Sequence, residues 1–210
     1  MSQESRDLGD DAARRIVDCA VDLAETSSWE AVRLHQVAAA AGMSLNDIRH
    51  HFREKDELID AWFDRADQAM LADAAQPDFL ELPVRQRLQR VILTWLGALA
   101  PHRRVAREMI QAKAELGHIH IQVPAVMRIS RTVQWMREAA HRDATHHLRA
   151  LEETALTSIY LVTFLHWLRD DSEDAQRTRR LLSTLLGLAE TAALGLARLP
   201  LPLDLGSAGH

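Results

Sequence analysis

The fold is decided by residues 37–58, which read VAAAAGMSLNDIRHHFREKDEL. Their apolar residues recur at intervals of three and four, the spacing typical of amphipathic helices. Gly42 suits the left-handed position that ends a helix, and Ser44 followed by Asp47 matches the capping box that starts one. The segment therefore predicts two short helices joined by a tight turn.

Two short helices around a glycine turn are typical of a helix-turn-helix, whose second helix enters the DNA major groove. We place these helices at about 34–41 and 45–52, with Met43 beneath the turn. Residues 31–55 carry four basic side chains against two acidic ones, although the whole chain has a net charge of −5. DNA phosphates attract such a local excess of positive charge. A pair of ordinary core helices with a solvated polar side remains the alternative.

The rest of the chain also predicts helices and no strands, which makes the fold class all-α. Glycine and proline are few, at 8 and 6 of 210 residues, and alternating runs of β-branched residues are absent. Pro83, Pro101 and Pro124 stand where three helices should begin, and Ser172 stands where the last should be capped. The further helices are expected at about 11–25, 56–74, 84–99, 102–116, 125–140, 148–169 and 174–198.

These elements suggest how the chain is divided. We expect a helix-turn-helix head at 1–54, a helical ligand-binding and dimerisation body at 55–199, and a flexible tail at 200–210. The single cysteine, Cys19, excludes an internal disulfide and fits a reducing cytoplasm. The polar N-terminus predicts no signal peptide, and charged residues interrupt the most apolar stretch, 181–199, so we expect no stable membrane insertion.

The sequence contains no recognisable catalytic motif. G-x-S-x-G, P-loop and dinucleotide-binding glycine patterns are missing, so we predict no enzyme and no cofactor. Histidines do recur at short spacing, but without a Cys or Glu at the spacing of a metal site. We therefore expect solvated histidines and no bound metal; the residues concerned are His118, His120, His141, His146 and His147.

The spacing within residues 37–58 resembles the N-terminal signature of TetR-type repressors. The pattern is Val37-Ala38-(x)3-Gly42-Met43-Ser44-(x)3-Ile48-(x)3-Phe52-(x)2-Lys55-(x)2-Leu58, and the resemblance extends over about residues 10–60. It implies an all-α, TetR-like fold in which the third helix enters the major groove. It also implies a homodimer that reads the two half-sites of a palindromic operator in double-stranded DNA.

The resemblance also implies which side chains contact DNA. Phosphate contacts are expected from the residues that flank the recognition helix, namely Arg33, Ser44, His51 and Lys55. Groove contacts are expected from the recognition helix itself, namely Leu45, Asn46, Arg49 and His50.

The chain departs from the family pattern at three places in this region. Arg33 stands where threonine is usual, Asn46-Asp47 where Gly-Thr is usual, and Arg49 where an aromatic residue is usual. A carboxylate at Asp47 would repel phosphates, but a reach back to the Ser44 N–H would point it along the helix. An arginine at Arg49 is able to pair with guanine O6 and N7.

The two last helices, at about 148–169 and 174–198, are long and rich in small and branched apolar residues. The family resemblance implies that they pair with their copies in a four-helix bundle. The same periodicity fits an ordinary core, and 181–199 is also compatible with a membrane surface, although its polar side is poor in lysine.

Aromatic and methionine residues of the body predict an apolar ligand pocket between helices. The alternative is that these side chains are plain core, and that His166 is a core histidine with a satisfied hydrogen bond. The candidate pocket residues are Trp95, Met109, Trp135, Met136, Tyr160, Phe164, His166 and Trp167.

The sequence thus predicts a cytoplasmic, DNA-binding transcriptional repressor that a small, largely apolar effector releases from DNA. A second interpretation comes from the body, where Trp62-Phe63-(x)3-Asp67-(x)2-Met70 and Ile159-Tyr160-(x)6-Trp167-Leu168 are similar to a TetR-like lipid-binding protein of ubiquinone biosynthesis. This alternative is a carrier of a lipid or isoprenoid that does not bind DNA.

Overall fold

The computed structural model describes the backbone of residues 3–115, 119–141 and 146–197, and the side chains of 9–113, 128–141 and 152–195. Within these ranges the chain forms nine α-helices, three short 3-10 turns and no strand. The helices are α1 Gln3–Thr26, α2 Leu34–Ala41, α3 Leu45–His51, α4 Lys55–Ala74, α5 Val84–Leu99, α6 Arg103–Glu115, α7 Ile119–Ala139, α8 His146–Trp167 and α9 Gln176–Ala197. The predicted all-α fold is confirmed.

Most of the predicted helix bounds agree with the structure, and the starts of α1, α7 and α9 differ. The helix α1 begins at Gln3 instead of near residue 11, and α7 begins at Ile119 instead of Ala125. Pro124 therefore lies inside α7 and does not start it. Pro124 is the sixth residue of α7, beyond the first turn, so its missing N–H leaves the carbonyl four residues earlier without its usual helical partner.

Ser172 takes part in capping α9, as predicted, because its hydroxyl oxygen accepts from the Arg177 N–H at 3.1 Å, but the start of the helix differs from the prediction. A 3-10 turn at Glu173–Ala175 comes first, with Asp174 at φ +49° and Ala175 at φ +52°. The capping carboxylate is that of Asp170, which accepts hydrogen bonds from the Thr178 N–H at 2.8 Å and the Thr178 hydroxyl at 2.7 Å. It also accepts from the Ser172 N–H at 3.0 Å and the Ser172 hydroxyl at 2.6 Å.

One continuous hydrophobic core runs from the head into the body. Its members include Trp29 and Ile48 from the head, Leu58 from α4, and Trp95 and Met109 from the body, all of them almost fully buried. The helix α4 contacts α1 at the head and α5 and α7 in the body. The proposed boundary at residue 54 therefore crosses a shared core.

The helix α6 contacts the C-terminal ends of two other helices. The Arg104 guanidinium donates to the carbonyls of Ala24 and Glu25 in the last turn of α1, both at 2.7 Å. On its other side, Arg107 donates to the Leu168 carbonyl and Arg103 to the Asp170 carbonyl, just beyond α8. Carbonyls at a helix C-terminus carry a partial negative charge, so these arginines stabilise both ends.

We predict that Asp170→Asn destabilises the protein by about 2 kcal/mol or more at pH 7, because charge-assisted hydrogen bonds are lost in a buried place. Burial alone raises the pKa of Asp170, but its four hydrogen bonds outweigh burial and hold the pKa well below the usual value. The stabilisation is therefore complete above the unfolded-state pKa of about 3.9 and is lost as the pH falls further.

Urea unfolding at pH 7, 5 and 3.5 measures this effect. The difference in the free energy of unfolding between wild type and Asp170→Asn should be smaller at pH 3.5 than at pH 7. Asp171→Asn, at the exposed neighbouring position, is the matched control and should change little at any pH.

Candidate DNA-binding site

The predicted helix-turn-helix is present in the structure. Gly42 ends α2 in the left-handed conformation, at φ +67°, and the Met43 N–H donates to the Ala38 carbonyl at 2.9 Å. Met43 packs beneath the turn, and Ile48 of α3 is buried against the head. The helix α3 consequently lies across α2 with one side in the core and the other in solvent.

The recognition helix α3 begins with the predicted capping box. The Ser44 hydroxyl oxygen accepts from the Asp47 N–H at 3.2 Å, and the Asp47 carboxylate accepts from the Ser44 N–H at 2.9 Å. The Ser44 hydroxyl also donates to that carboxylate at 2.8 Å. The bonds from the Ser44 N–H and hydroxyl hold the pKa of Asp47 below its usual value. Asp47 therefore points back along the helix. For the Ser44 hydroxyl to donate to a DNA phosphate, it has to turn away from the Asp47 carboxylate.

The four predicted groove residues lie together on the solvent side of α3. Leu45 is 53% exposed, which is unusual for a large apolar side chain, and Asn46, Arg49 and His50 are also exposed. His51 is half-buried, and its ring contacts that of His50 edge-to-face, with centroids 5.6 Å apart. This surface offers hydrogen-bond donors and acceptors beside an apolar contact, which is what base edges in a major groove require.

Two of the other predicted phosphate contacts, Arg33 and Lys55, have protein partners in this structure. Arg33 is exposed at the N-cap of α2, and its guanidinium donates to the Glu30 carbonyl at 2.5 Å. The Lys55 ammonium donates to the carbonyls of Trp29, Val32 (2.9 Å) and Glu30 (3.4 Å). Burial and the nearby Arg33 cation lower the pKa of Lys55.

The predicted pocket residues of the body separate into two groups. Trp95 contacts Tyr160 and Phe164 edge-to-face, with centroids 5.3 and 5.4 Å apart, and Trp167 stacks on Phe164 at 6.1 Å. Met109 and Met136 are fully buried in the same core.

Trp135 and His166 lie apart from these aromatic rings. The Trp135 side chain is 46% exposed on α7, and the His166 ring shares a 2.9 Å hydrogen bond with the Thr178 hydroxyl.

The aromatic rings contact one another directly, so a ligand among them has to move them apart. Two surface depressions elsewhere are lined by other residues. One, of about 620 Å³, lies between α5 and α9 and includes Arg85 and Arg179. The other, of about 390 Å³, lies on α8 beside Thr157 and Ser158.

A buried polar cluster beside the aromatic rings was not predicted from the sequence. The Asp67 carboxylate of α4 accepts from the Trp95 indole N–H at 2.7 Å and the Thr132 hydroxyl at 3.1 Å, and it lies 3.7 Å from an Arg128 nitrogen. Burial raises the pKa of Asp67, and these contacts only partly offset the effect. The sequence contains one indication of this cluster, because Asp67 is a carboxylate on the apolar side of α4, four residues after Phe63.

Metal and membrane features are absent from the part of the chain that the structure describes. No three side chains there of the types that bind metals are grouped closely enough to hold an ion. No described helix has the length and apolar character needed to cross a membrane.

Comparison with known proteins decides the family. No family model matches the sequence. A structure of a TetR transcriptional regulator from Nitrosomonas europaea is 54% identical, with a TM-score of 0.77, and the match covers 85% of this chain and 98% of that one. The chain belongs to the TetR family of transcriptional regulators. The prediction from residues 37–58 is thereby confirmed, and DNA-binding regulation of transcription is the function that the family supports.

More distant TetR-family structures share the fold. Regulators from Rhodococcus sp. RHA1 and Streptomyces coelicolor are 20% and 19% identical, with TM-scores of 0.62 and 0.61. The first match covers 84% of this chain and 97% of that one, and the second covers 93% and 85%. Both are described as TetR-family transcriptional regulators.

One curated relative matches a shorter segment of this TetR-family chain. It is an uncharacterized HTH-type transcriptional regulator in the dhlA 5′ region of Xanthobacter autotrophicus, 37% identical over 62 residues. That match spans 30% of this chain and 31% of the relative's length.

We predict that Ser44→Ala lowers the free energy of unfolding by about 1 kcal/mol, because the Asp47 N–H loses its cap. Urea unfolding followed by circular dichroism measures the change. Asn46→Ala, on the exposed side of the same helix, is the control and should leave stability nearly unchanged. Equal effects of the two substitutions would contradict a capping role for Ser44.

Proposed function

We propose that this TetR-family regulator is a homodimeric repressor that binds a palindromic operator and leaves it when a small, largely apolar ligand binds the body. The observation that carries the proposal is the exposed side of α3, where Leu45, Asn46, Arg49 and His50 stand beside one another on a capped helix. In a dimer, two such helices about 34–36 Å apart reach successive major grooves. The target is chromosomal DNA, so the proposed place of action is the cytoplasm.

The chemistry of the α3 surface suggests what each side chain reads. Arg49 is suited to guanine O6 and N7, and the apolar Leu45 to the methyl group of thymine. Asn46 and His50 supply further hydrogen bonds to base edges. Arg33, Ser44 and His51 lie at the margin of this surface, where we propose that they contact phosphates and fix the register of the helix.

Exposed apolar side chains on α8 and α9 support dimerisation through these two helices. Val162 and Leu165 of α8 are 48% and 45% exposed, and Leu188 and Leu194 of α9 are 63% and 56% exposed. Smaller residues lie nearby, including Ser158 at the depression on α8. A second copy of the same helices would cover this apolar surface and place two heads on one side.

The proposed effector site is the aromatic cluster of Trp95, Tyr160 and Phe164 beside Asp67. Sites for small, largely apolar ligands are lined by aromatic side chains with a few polar groups, as this cluster is, although here a ligand first has to part the rings. Asp67 lies on α4, which only three residues separate from α3, so a ligand that parts these rings acts on the helix that carries the head. The ligand shifts the equilibrium only as far as it binds one arrangement of the heads better than the other.

The test is binding of the purified protein to DNA from upstream of its own coding region, at low and moderate salt. We expect two chains per operator and release by members of a panel of apolar alcohols, aromatic acids and terpenoids. If the protein binds neither promoter fragments nor random DNA at low salt, the repressor function is refuted and the lipid carrier is favoured. If the protein binds operator DNA but no compound of the panel weakens that binding, the repressor function stands and the proposed effector class is wrong.

We predict that Arg49→Ala weakens operator binding by about 1–3 kcal/mol and relaxes the preference at one base pair, because the bidentate contact to guanine is lost. Binding to operators substituted at each position measures this. Asp47→Asn is the control: if Asp47 only caps α3, this change should leave base preference intact. An equal loss for every operator sequence in Arg49→Ala would mean that Arg49 contacts phosphate.

A further inference from the structure

The surface depression between α5 and α9, which we call the α5–α9 groove, has the size of a ligand site. Its volume is about 620 Å³. Sites for small molecules typically measure about 300–1,000 Å³. Among the described residues that line the groove there are three arginines, two glutamines and a threonine, and no carboxylate. These polar side chains are Arg85, Gln86, Gln89, Arg90 and Thr94 of α5 and Arg179 of α9.

The two arginines that α5 contributes to the groove differ in how firmly protein carboxylates hold them. Arg90 donates to Asp73 at 2.7 and 2.9 Å and to Asp78 at 2.6 Å, so its charge is balanced. Arg85 stands 3.5 Å from a Glu190 oxygen, and the two side chains are 42% and 53% exposed. An exposed ion pair of this kind contributes little to stability. Arg90 is therefore a fixed part of the wall, whereas Arg85 is available to another anion.

Arg179, on the α9 side of the groove, has no carboxylate partner among the described residues. It is exposed, and its Nε donates to the Asp174 carbonyl at 2.9 Å. That bond orients the guanidinium by its inner nitrogen and leaves the two terminal nitrogens to other acceptors. A guanidinium presents its donors in a planar fork that fits a carboxylate or a phosphate.

Arg85 and Arg179 lie toward opposite ends of the groove. Arg85 contacts Glu190 of α9, which follows Arg179 by eleven residues. Eleven residues of α-helix rise about 16 Å. A single carboxylate or phosphate is too short to meet both guanidinium groups, whereas a molecule with an anionic group at each end meets both. The amides of Gln86 and Gln89 are available for hydrogen bonds to a polar middle part.

The groove is separate from the DNA-binding surface, from the proposed effector site and from part of the proposed dimer surface. Asp73, the partner of Arg90, follows Lys55 by eighteen residues on α4, about 27 Å along the helix from the end near α3. The aromatic rings of the effector site are buried in the core, whereas the groove opens to solvent. Arg179 and Leu188 are two and a half helical turns apart, on opposite sides of α9. A partner copy seated on Leu188 therefore does not cover Arg179.

We propose that the α5–α9 groove binds a small polar organic dianion, a bisphosphate or a dicarboxylate, with one anionic group at Arg85 and the other at Arg179. The first group replaces Glu190 as the partner of Arg85. The second gives Arg179 a charged acceptor in addition to the Asp174 carbonyl. Such a ligand differs in chemical class from the largely apolar effector, and its binding requires neither DNA nor that effector.

Isothermal titration calorimetry of the whole chain at constant ionic strength tests the class of ligand. The probes are two matched pairs, fructose 1,6-bisphosphate with fructose 6-phosphate and adipate with hexanoate, and fructose is the neutral reference. We expect one of the dianions to bind at least about tenfold more tightly than its matched monoanion, because a second charge-assisted contact forms. The pair that shows this difference identifies the ligand as a bisphosphate or a dicarboxylate. Fructose should not bind.

Substitutions in the groove locate the site of binding. Arg85→Met and Arg179→Met should each weaken binding of the tighter dianion by about tenfold or more. Glu190→Gln should tighten it, because the carboxylate no longer competes for Arg85. Arg180→Met removes the same charge from the next residue of α9, outside the groove, and is the matched control. It should change the affinity by less than about twofold, because salt screens a distant exposed charge.

Three results would overturn the inference. The first is that no dianion binds at millimolar concentration, and the second is that each monoanion binds as tightly as its matched dianion. The third is that Arg180→Met weakens binding as much as Arg179→Met does, which would indicate a general attraction to a basic surface. If one arginine variant fails to fold by circular dichroism, the other variant and Glu190→Gln decide. None of these results bears on DNA binding through α3, which is measured separately.

Discussion

The apolar side of α4 packs against the head at its first turn and against the body along the rest of its length. Leu58 and Ile59 are fully buried near α1, and Phe63 stacks on Trp95 of α5 at 5.8 Å. Protein interiors are close-packed and transmit strain, so α4 cannot shift against α5 without moving the residues that precede it. Those residues are the short connection 52–54 and, before it, the recognition helix α3. The position of α3 thus depends on how the body packs.

Apolar packing brings these helices together, but it has little directional preference, and the polar contacts at helix ends supply the direction. The helix α6 illustrates this division. Arg104 holds the C-terminus of α1, while Arg103 and Arg107 hold the chain at and beyond the end of α8. Because α8 carries part of the proposed dimer surface, one short helix connects that surface with the head.

The buried carboxylate of Asp67 is an unfavourable feature for the stability of the body. A charge among aromatic rings is unfavourable unless it is paired, and here the Trp95 and Thr132 donors and the nearby Arg128 only partly compensate. Groups of this kind often mark functional sites. Asp67 lies on α4, so whatever changes its surroundings acts directly on the helix that orients α3. The proposed effector site therefore borders the helix that follows α3.

The sequence by itself determined the helix-turn-helix, the bounds of α2 and α3, the capping box and the family. These features depend on residues within a few positions of one another, where periodicity and capping chemistry act locally. Only the tertiary structure decided that Lys55 holds Trp29, 26 residues away, and that Glu108 holds it from 79 residues away. It likewise decided that Trp135 is exposed and that Asp67 is buried. A side chain's partners across the core depend on how whole helices pack, and no local pattern contains that information.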